Sequence, residues 1–163
     1  MMDLVRKMTM AGLAFAALAV AYNLQAQWGL EPCTMCIVQR YAFMVIYIGA
    51  VGHYILHEGF RPVWPYTSAA AIVVGLLASA RIQWAISVPS VTCGRDKIAV
   101  ALNGLPWVDS WPAMFEATGV CGDKVAPVLG LPFHAWSALL FVVMGVLLWL
   151  GRAARKRLAD VKS

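Results

Sequence analysis

The sequence predicts an all-α membrane protein, a bundle of four transmembrane helices with two outer loops, the second long and carrying a short interfacial helix. Hydrophobic residues make up 61% of the chain and charged residues 13%, which is far from the composition of a soluble domain. Four apolar stretches approach the roughly 20 residues that a helix needs to cross a bilayer. Basic residues collect on one side of these stretches.

The four predicted spans cover about residues 8–27, 37–56, 64–88 and 132–150. The first follows Arg6 and Lys7 and contains Ala19-Val20-Ala21, a pattern that a cleaved signal peptide also shows. Cleavage would leave three spans and put the termini on opposite faces, which the charge pattern does not favour. With no internal repeat and no linker, we expect residues 1–163 to form a single integral membrane domain.

Basic residues predict the orientation of the four spans. Eight of the 13 Lys and Arg residues fall on one side, which the positive-inside rule makes cytoplasmic. They are Arg6, Lys7, Arg61, Arg152, Arg155, Lys156, Arg157 and Lys162. Both termini then lie in the cytoplasm, and the loops at about 28–36 and 89–131 face outward. The net charge of +5 reflects this asymmetry and does not indicate nucleic acid binding.

The second outer loop is long enough to carry structure and function. Residues 98–105 are apolar, and residues 107–116 mix aromatic side chains with Asp109 and Glu116. Such a segment favours a short helix at the level of the lipid headgroups. It would serve either as a membrane anchor or as a guide for a partner protein.

All four cysteines lie on the two outer loops. Cys33 and Cys36 form a CxxC motif before the second span, and Cys93 and Cys121 lie in the long loop. They therefore share the compartment in which disulfides form and persist. Two cysteine pairs indicate electron transfer through disulfides, with purely structural disulfides as an alternative. A zinc site is the weaker alternative, because Cys93 and Cys121 lack zinc-finger spacing.

The residues around the CxxC motif favour a reactive thiolate. Pro32 suits a helix that begins near Cys33, which would set the sulfurs at the positive end of the helix dipole. Arg40 follows Cys36 by four residues and adds a positive charge on the same face. A thiolate, not a thiol, attacks disulfides and electrophiles. The alternative for Arg40 is a snorkelling interface anchor.

The run from Cys33 to Arg40 resembles the CxxCxxxR signature of the bacterial disulfide bond formation protein B (DsbB) family, inner-membrane thiol:quinone oxidoreductases of four helices. Leu105-Pro106, residues 111–115, Cys121 and Leu129-Gly130-Leu131 resemble the second periplasmic loop of that family. The vitamin K epoxide reductase family also joins four helices, a CxxC and two loop cysteines, but its loop cysteines precede the CxxC. A non-catalytic scaffold with two disulfides remains an alternative from another class.

The resemblance implies a role for each cysteine. Cys93 and Cys121 would form a disulfide that a reduced periplasmic DsbA-like oxidase of thioredoxin fold attacks at Cys93. Cys33 would then exchange with Cys121, and Cys36 would pass the electrons to a quinone bound beside Arg40. We expect ubiquinone rather than menaquinone, no metal, and a multi-pass protein of the bacterial inner membrane with its cysteines facing the periplasm.

Other polar residues of the spans remain secondary candidates. Some DsbB proteins carry a histidine at the outer end of the third helix, where this chain has Ala85-Ile86-Ser87-Val88. Arg81 is a candidate because an ionisable residue within a span is costly, although snorkelling or an interhelical contact explains it equally well. His134 opens the fourth span and is interpreted as an interface residue. We expect Gly49, Gly52 and Gly75 to permit close helix packing.

Overall fold

The computed structural model describes residues 2–55, 63–88, 97–120 and 128–162. Four long helices lie in these ranges: α1 (Met2–Trp28), α2 (Thr34–Ile55), α3 (Trp64–Ser87) and α6 (Phe133–Lys162). Two short helices, α4 (Lys97–Asn103) and α5 (Pro112–Phe115), lie between α3 and α6. No strand occurs within the described residues. The predicted all-α class with four long apolar helices is confirmed.

The four long helices contain segments long and apolar enough to cross a membrane: Leu4–Trp28, Thr34–Gly52, Trp64–Ser87 and Phe133–Ala154. These segments match the predicted spans, but α1 begins earlier and α6 continues to Lys162. The predicted limits followed hydropathy, whereas helical hydrogen bonding continues through Arg and Lys, which are good helix formers. The helix α2 begins three residues before the predicted span, so its first turn includes Cys36.

The four long helices form a closed ring in which α2 is the most buried. The helix α2 packs against α1 and α3, and α6 packs against α3 and α1. Of the membrane-spanning segment of α2, 56% is buried inside the bundle, whereas only 22% of the segment in α1 and 22% of the segment in α6 are buried. The outward faces of α1 and α6 carry exposed apolar side chains such as Phe15 and Trp149. Lipid would cover these faces, because a bilayer accepts apolar side chains.

Aromatic stacking and close contacts at glycine fill the middle of the bundle. The rings of Phe43 and Phe141 stack with their centroids 4.2 Å apart. A Cβ atom on Gly75 would lie 2.3 Å from Cζ of Phe141, and one on Gly49 would lie 2.5 Å from Cδ1 of Trp64. The packing role predicted for Gly49 and Gly75 is therefore confirmed. Other side chains of this core are Met10, Ala14, Ile46, Ile72, Met144 and Leu148.

Basic side chains collect at one end of the bundle, here called the inner end. The Lys7 ammonium lies over the ring of Trp64, 5.6 Å from its centroid. The Arg152 guanidinium lies over the ring of Tyr66, 5.2 Å from its centroid. The starts of α1 and α3 and the later part of α6 therefore meet there. The CxxC motif lies at the opposite, outer end, and Arg61 falls outside the described residues.

Residues 97–120, here called the outer segment, fold back onto the outer half of α2. The indole nitrogen of Trp107 donates a hydrogen bond to the Tyr41 hydroxyl at 2.9 Å, and the Phe115 ring stacks on Tyr41 at 5.4 Å. The Asn103 side chain bonds both the N–H and the carbonyl of Ala117. The predicted short helix of the second loop is present as two, α4 and α5.

Candidate functional site

The cysteine motif forms the N-terminal cap of α2. The Cys33 carbonyl accepts the first helical hydrogen bond, from Ile37 N at 3.1 Å, so Cys33 occupies the cap position. Its Sγ accepts a hydrogen bond from Cys36 N at 3.3 Å, where a capping Ser or Asp oxygen usually accepts one. Both cysteines carry free thiols. The two sulfurs thus lie at the positive end of the α2 dipole, as predicted.

The Cys33 thiol holds its proton tightly. A hydrogen bond to the Cys36 sulfur, together with burial, raises the pKa of Cys33 above its ordinary value. The side chain is only 4% exposed, and burial disfavours a charged thiolate. The Cys33 thiol therefore donates a hydrogen bond to the Cys36 sulfur.

Arg40 is buried and held by three neutral oxygens. Its side chain is 6% exposed, so it does not snorkel to water. Nη1 donates to the carbonyls of Met114 at 2.9 Å and Ala113 at 3.3 Å, and Nη2 donates to Oε1 of Gln25. Because these acceptors are neutral, they orient the guanidinium without neutralising its charge. An interface anchor would extend its guanidinium to water, so this alternative does not fit the burial of Arg40.

Gln25 links α1 to the same hydrogen-bond network. Its Nε2 donates to the Ala113 carbonyl at 3.0 Å, while its Oε1 accepts from Arg40. Arg40 and Gln25 therefore both bind carbonyls of α5, the short helix of the outer segment. The position of the guanidinium depends on α1, α2 and the outer segment together.

A cavity of about 300 Å³ lies at the outer end, between α1, α2, α3 and α6. Cys33, Cys36 and Arg40 line one side of it. Apolar side chains form much of the remainder: Ala17, Leu18, Ala21, Leu24, Phe43, Ile82, Ile86 and Phe133. In the described part of the chain, no three His, Cys, Asp or Glu side chains group as a metal site. The cavity thus combines a thiol pair and one cation with mostly apolar surroundings.

His134 lines the same cavity from the first turn of α6. Its side chain is 8% exposed, and its Nε2 lies 2.8 Å from Oε1 of Gln83 on α3. Arg81, the other secondary candidate, stacks its guanidinium over Trp84 at 5.0 Å and does not line the cavity. Of the two candidates, the structure brings only His134 to the cysteines.

The outer segment contacts the chain directly before the CxxC motif. Gly119 pairs with Cys33 as an isolated parallel bridge, and the N–H groups of Thr118 and Gly119 both donate to the Pro32 carbonyl, at 3.2 and 3.1 Å. A Cβ atom on Gly119 would lie 2.2 Å from the Glu31 carbonyl oxygen, so this approach requires glycine. Predicted site residues 93 and 121, both cysteines, lie outside the described residues.

Sequence reasoning missed several glutamines that shape the site. Gln25 orients Arg40, Gln83 bonds His134, and Gln39 Nε2 donates to Ser79 Oγ at 2.7 Å. The available signal was an amide side chain inside or at the edge of an apolar span, where neighbouring helices supply the hydrogen bonds. That signal marks the residue but does not identify its partner.

Comparisons with known proteins identify the family of the chain. The family model described as Disulfide bond formation protein DsbB matches residues 6–151. The Disulfide bond formation protein B of Herminiimonas arsenicoxydans is 34% identical over 145 residues, which cover 86% of this chain and 88% of that protein. The protein of the same name from Nitrosomonas eutropha is 38% identical over 140 residues, with coverages of 79% and 83%. No solved structure matches the chain. This chain belongs to the DsbB family and is a multi-pass membrane protein of disulfide bond formation.

Proposed function

We propose that this protein re-oxidises a periplasmic, DsbA-like thiol oxidase of thioredoxin fold and passes the electrons to a membrane quinone, ubiquinone rather than menaquinone. One observation carries the proposal: Cys36 and Arg40 line a single, mostly apolar cavity at the outer end of the bundle. Its volume of about 300 Å³ lies at the lower end of the range for small-molecule pockets.

The chemistry of the cavity fits a quinone. A quinone is a flat apolar ring whose carbonyl oxygens gain negative charge on reduction, and it supplies an acceptor for two electrons and two protons. The buried Arg40 offers N–H donors and a positive charge that neutral acceptors leave uncompensated, which favours a growing negative charge. Cys36 lies one helical turn away on α2. Arg40 and Cys36 would hold the ring between them.

The relay begins at the disulfide between Cys93 and Cys121. A thiolate of the reduced partner attacks Cys93 Sγ, which forms a mixed disulfide and releases Cys121 as a thiolate. The second thiol of the partner then breaks the mixed disulfide. The partner leaves oxidised, and its two electrons remain on the loop cysteines.

Cys121 next exchanges with Cys33 of the Cys33–Cys36 disulfide. Its thiolate attacks Cys33 Sγ, and Cys36 leaves as a thiolate beside the Arg40 charge. The contact between Gly119 and Cys33 supports this step, because the two Cα–Cα steps from Gly119 to Cys121 span at most about 7 Å. Cys93 then attacks Cys121, which restores the loop disulfide and leaves Cys33 as a thiol.

Cys36 and Cys33 then return to a disulfide. The S–S bond forms, the electron pair passes to the quinone, and the product leaves as quinol. Arg40 stabilises the negative charge that develops on the ring oxygen, and the apolar lining excludes water.

We place the protein in the bacterial inner membrane, with both termini in the cytoplasm and the cysteines facing the periplasm. The proposal is supported by the separation of the basic inner end, with Lys7 and Arg152, from the thiols at the outer end. Reporter fusions after Pro89 and after Arg152 test it. The first should report the periplasm and the second the cytoplasm. If both report one compartment, this orientation is wrong.

Purified protein, a reduced DsbA-like partner and a short-chain ubiquinone provide the test of function. We expect quinone reduction that needs all three components. Cys93→Ser should abolish the trapped mixed disulfide, while the Cys33–Cys36 dithiol still reduces the quinone. In Cys121→Ser the loop disulfide cannot form, so Cys93 is a lone thiol that attacks the disulfide of the oxidised partner. The mixed disulfide should then accumulate, because Cys121 is not present to displace the partner from Cys93. Trapping that survives Cys93→Ser would contradict the assigned attack site, and absence of quinone reduction by the wild type would reject the proposed function.

Solvent extraction of the purified protein, followed by mass spectrometry, tests the identity of the quinone. We expect ubiquinone in the extract. Menaquinone alone would overturn that choice while leaving the relay intact.

A further inference from the structure

We propose that His134 delivers a proton to the quinone bound in the cavity and that Gln83 orients its imidazole for this task. The inference rests on the proposed function and adds a catalytic residue to it. His134 is buried and lines the same cavity as Cys36 and Arg40. It belongs to α6, whereas both of those residues belong to α2, so the cavity places a second functional group on a different helix.

A chain of hydrogen bonds fixes which imidazole nitrogen carries the proton. The Ser87 hydroxyl donates to the main-chain carbonyl of Gln83 at 2.9 Å, so its oxygen is free to accept from Gln83 Nε2 at 3.3 Å. The Gln83 amide nitrogen therefore faces Ser87, and its Oε1 faces His134 Nε2 at 2.8 Å. Because an amide oxygen only accepts, Nε2 donates. Nδ1 of the neutral ring keeps its lone pair and is the atom able to bind and release a proton.

The relay requires a second proton source. Cys36 leaves its disulfide as a thiolate, so the reduced pair holds two electrons but only one proton, on Cys33. Quinol formation needs two protons. Arg40 does not supply the second, because a guanidinium does not lose its proton in proteins.

His134 is the group suited to supply it. Histidine exchanges a proton near neutral pH. Among the described residues, the other ionisable side chains that line the cavity include Cys33 and Cys36, which provide the electrons, and Arg40, which stays charged. Glu31 also lines the cavity, but its side chain is exposed to solvent and is not enclosed with the bound quinone.

Conversion of the quinone to a quinol takes up two electrons and two protons. The Cys33 thiol, the Cys36 thiolate, a quinone and the Nδ1 proton of a His134 imidazolium give the Cys33–Cys36 disulfide, a quinol and the neutral imidazole. Two electrons move from the sulfurs to the ring. One ring oxygen receives the Cys33 proton and the other receives the proton from His134. Water at the outer end restores the proton of His134 once the quinol has left the cavity.

Single-turnover reduction of a short-chain ubiquinone by the dithiol protein tests the proton transfer. We expect His134→Gln, which keeps a polar side chain but cannot act as an acid at neutral pH, to slow the reaction about 100-fold. Partner trapping at Cys93 should remain normal. Arg81→Gln on α3, outside the cavity, is the matched control and should react like the wild type. A rate for His134→Gln close to that of the wild type would overturn the inference.

Binding to the disulfide form of the protein gives a readout that does not depend on turnover. At pH 8 the neutral Nδ1 accepts a hydrogen bond from a quinol hydroxyl but donates none to a quinone carbonyl. We expect His134→Phe to weaken binding of short-chain ubiquinol about five-fold and to leave binding of the corresponding ubiquinone unchanged. Equal losses for both ligands, or no loss, would overturn the inference. A wild type that reduces no quinone would reject the proposed function instead.

Discussion

The middle and the outer end of the bundle differ in how their interiors are filled. In the middle, side chains such as Phe141 and Met144 are fully buried, and Gly75 lets the Phe141 ring approach the backbone of α3. At the outer end, the interior contains Arg40, His134 and the thiols around a cavity. There the hydrogen bonds of Gln25 and Gln83 compensate the buried polar groups.

This difference shows that the residues that stabilise the bundle and the residues suited to chemistry lie at different levels along its axis. Close apolar packing is costly to disturb, because interiors have little empty volume. A buried polar group is costly only when its hydrogen bonds are lost. Substitutions in the middle of the bundle should therefore change stability, whereas substitutions at the outer end should change rates. The following four predictions test this separation, from the largest expected effect to the smallest.

The largest effect is expected at Arg40. Arg40→Ala removes a buried donor and charge and should lower kcat/KM for quinone by about 100-fold, through both a higher KM and a lower kcat. Arg40→Lys keeps the charge but loses the planar set of N–H donors, so its loss of kcat/KM should be intermediate. Steady-state assays at varied quinone concentration measure this, with partner trapping at Cys93 as the control step. Wild-type kcat and KM in Arg40→Ala would contradict the assigned role.

A smaller loss of rate is expected at Gly119. In Gly119→Ala the new Cβ would meet the Glu31 carbonyl oxygen at 2.2 Å, which pushes the outer segment away from Cys33. Exchange between Cys121 and Cys33 should slow roughly 10-fold or more. Rapid acid quenching followed by thiol alkylation measures the exchange. Gly104→Ala, whose Cβ has only ordinary contacts from 3.4 Å, is the control; equal rates in the two variants would refute the positional role of Gly119.

In the middle of the bundle, Gly75→Ala should lower stability without changing the chemistry. Its Cβ would lie 2.3 Å from the Phe141 ring, and overpacking of this kind costs about 1–3 kcal/mol. Unfolding in mixed detergent gives the free energy, and quinone turnover by the folded fraction should equal that of the wild type. Gly12→Ala, whose Cβ would have no neighbour within 4 Å, should not destabilise the protein. A reduced turnover in folded Gly75→Ala would contradict the separation of stability from chemistry.

The smallest effect is expected at Ser79, which lies between the two regions. Its hydroxyl accepts from Gln39 Nε2 at 2.7 Å and donates to the Gly75 carbonyl at 2.9 Å. Ser79→Ala should cost about 0.6 kcal/mol, the average for polar contacts between membrane helices. A double-mutant cycle with Gln39→Leu isolates the contact. A coupling energy above about 2 kcal/mol would exceed the range known for such contacts and would show a larger structural role.

The fold was largely predictable from the sequence because hydropathy and helix length act locally. The spans, the helix start near Cys33 and the packing at Gly49 and Gly75 all depend on neighbours along the chain or on residue size. The hydrogen bonds of Arg40 were not predictable in this way. Its partners Gln25, Ala113 and Met114 lie 15, 73 and 74 residues away, and no local pattern specifies such distant pairs.

The site was predictable only in part for the same reason. The CxxC motif and Arg40 share one helix, so their spacing indicated one face of α2. His134 was assigned to an interface, because its position next to the cysteines depends on the closure of the ring by α6. The assignments of Cys93 and Cys121 remain predictions, since both residues lie outside the described part of the structure.

Arg40 and Gln25 hold α5 through main-chain carbonyls and not through its side chains. Every residue type offers the same carbonyl, so this attachment does not constrain which amino acids occupy the helix. Substitutions in α5 should therefore leave the position of Arg40 unchanged, with Phe115, which stacks on Tyr41, as the exception. Evolution is free to vary the sequence of this helix while the buried hydrogen bonds of the guanidinium stay the same.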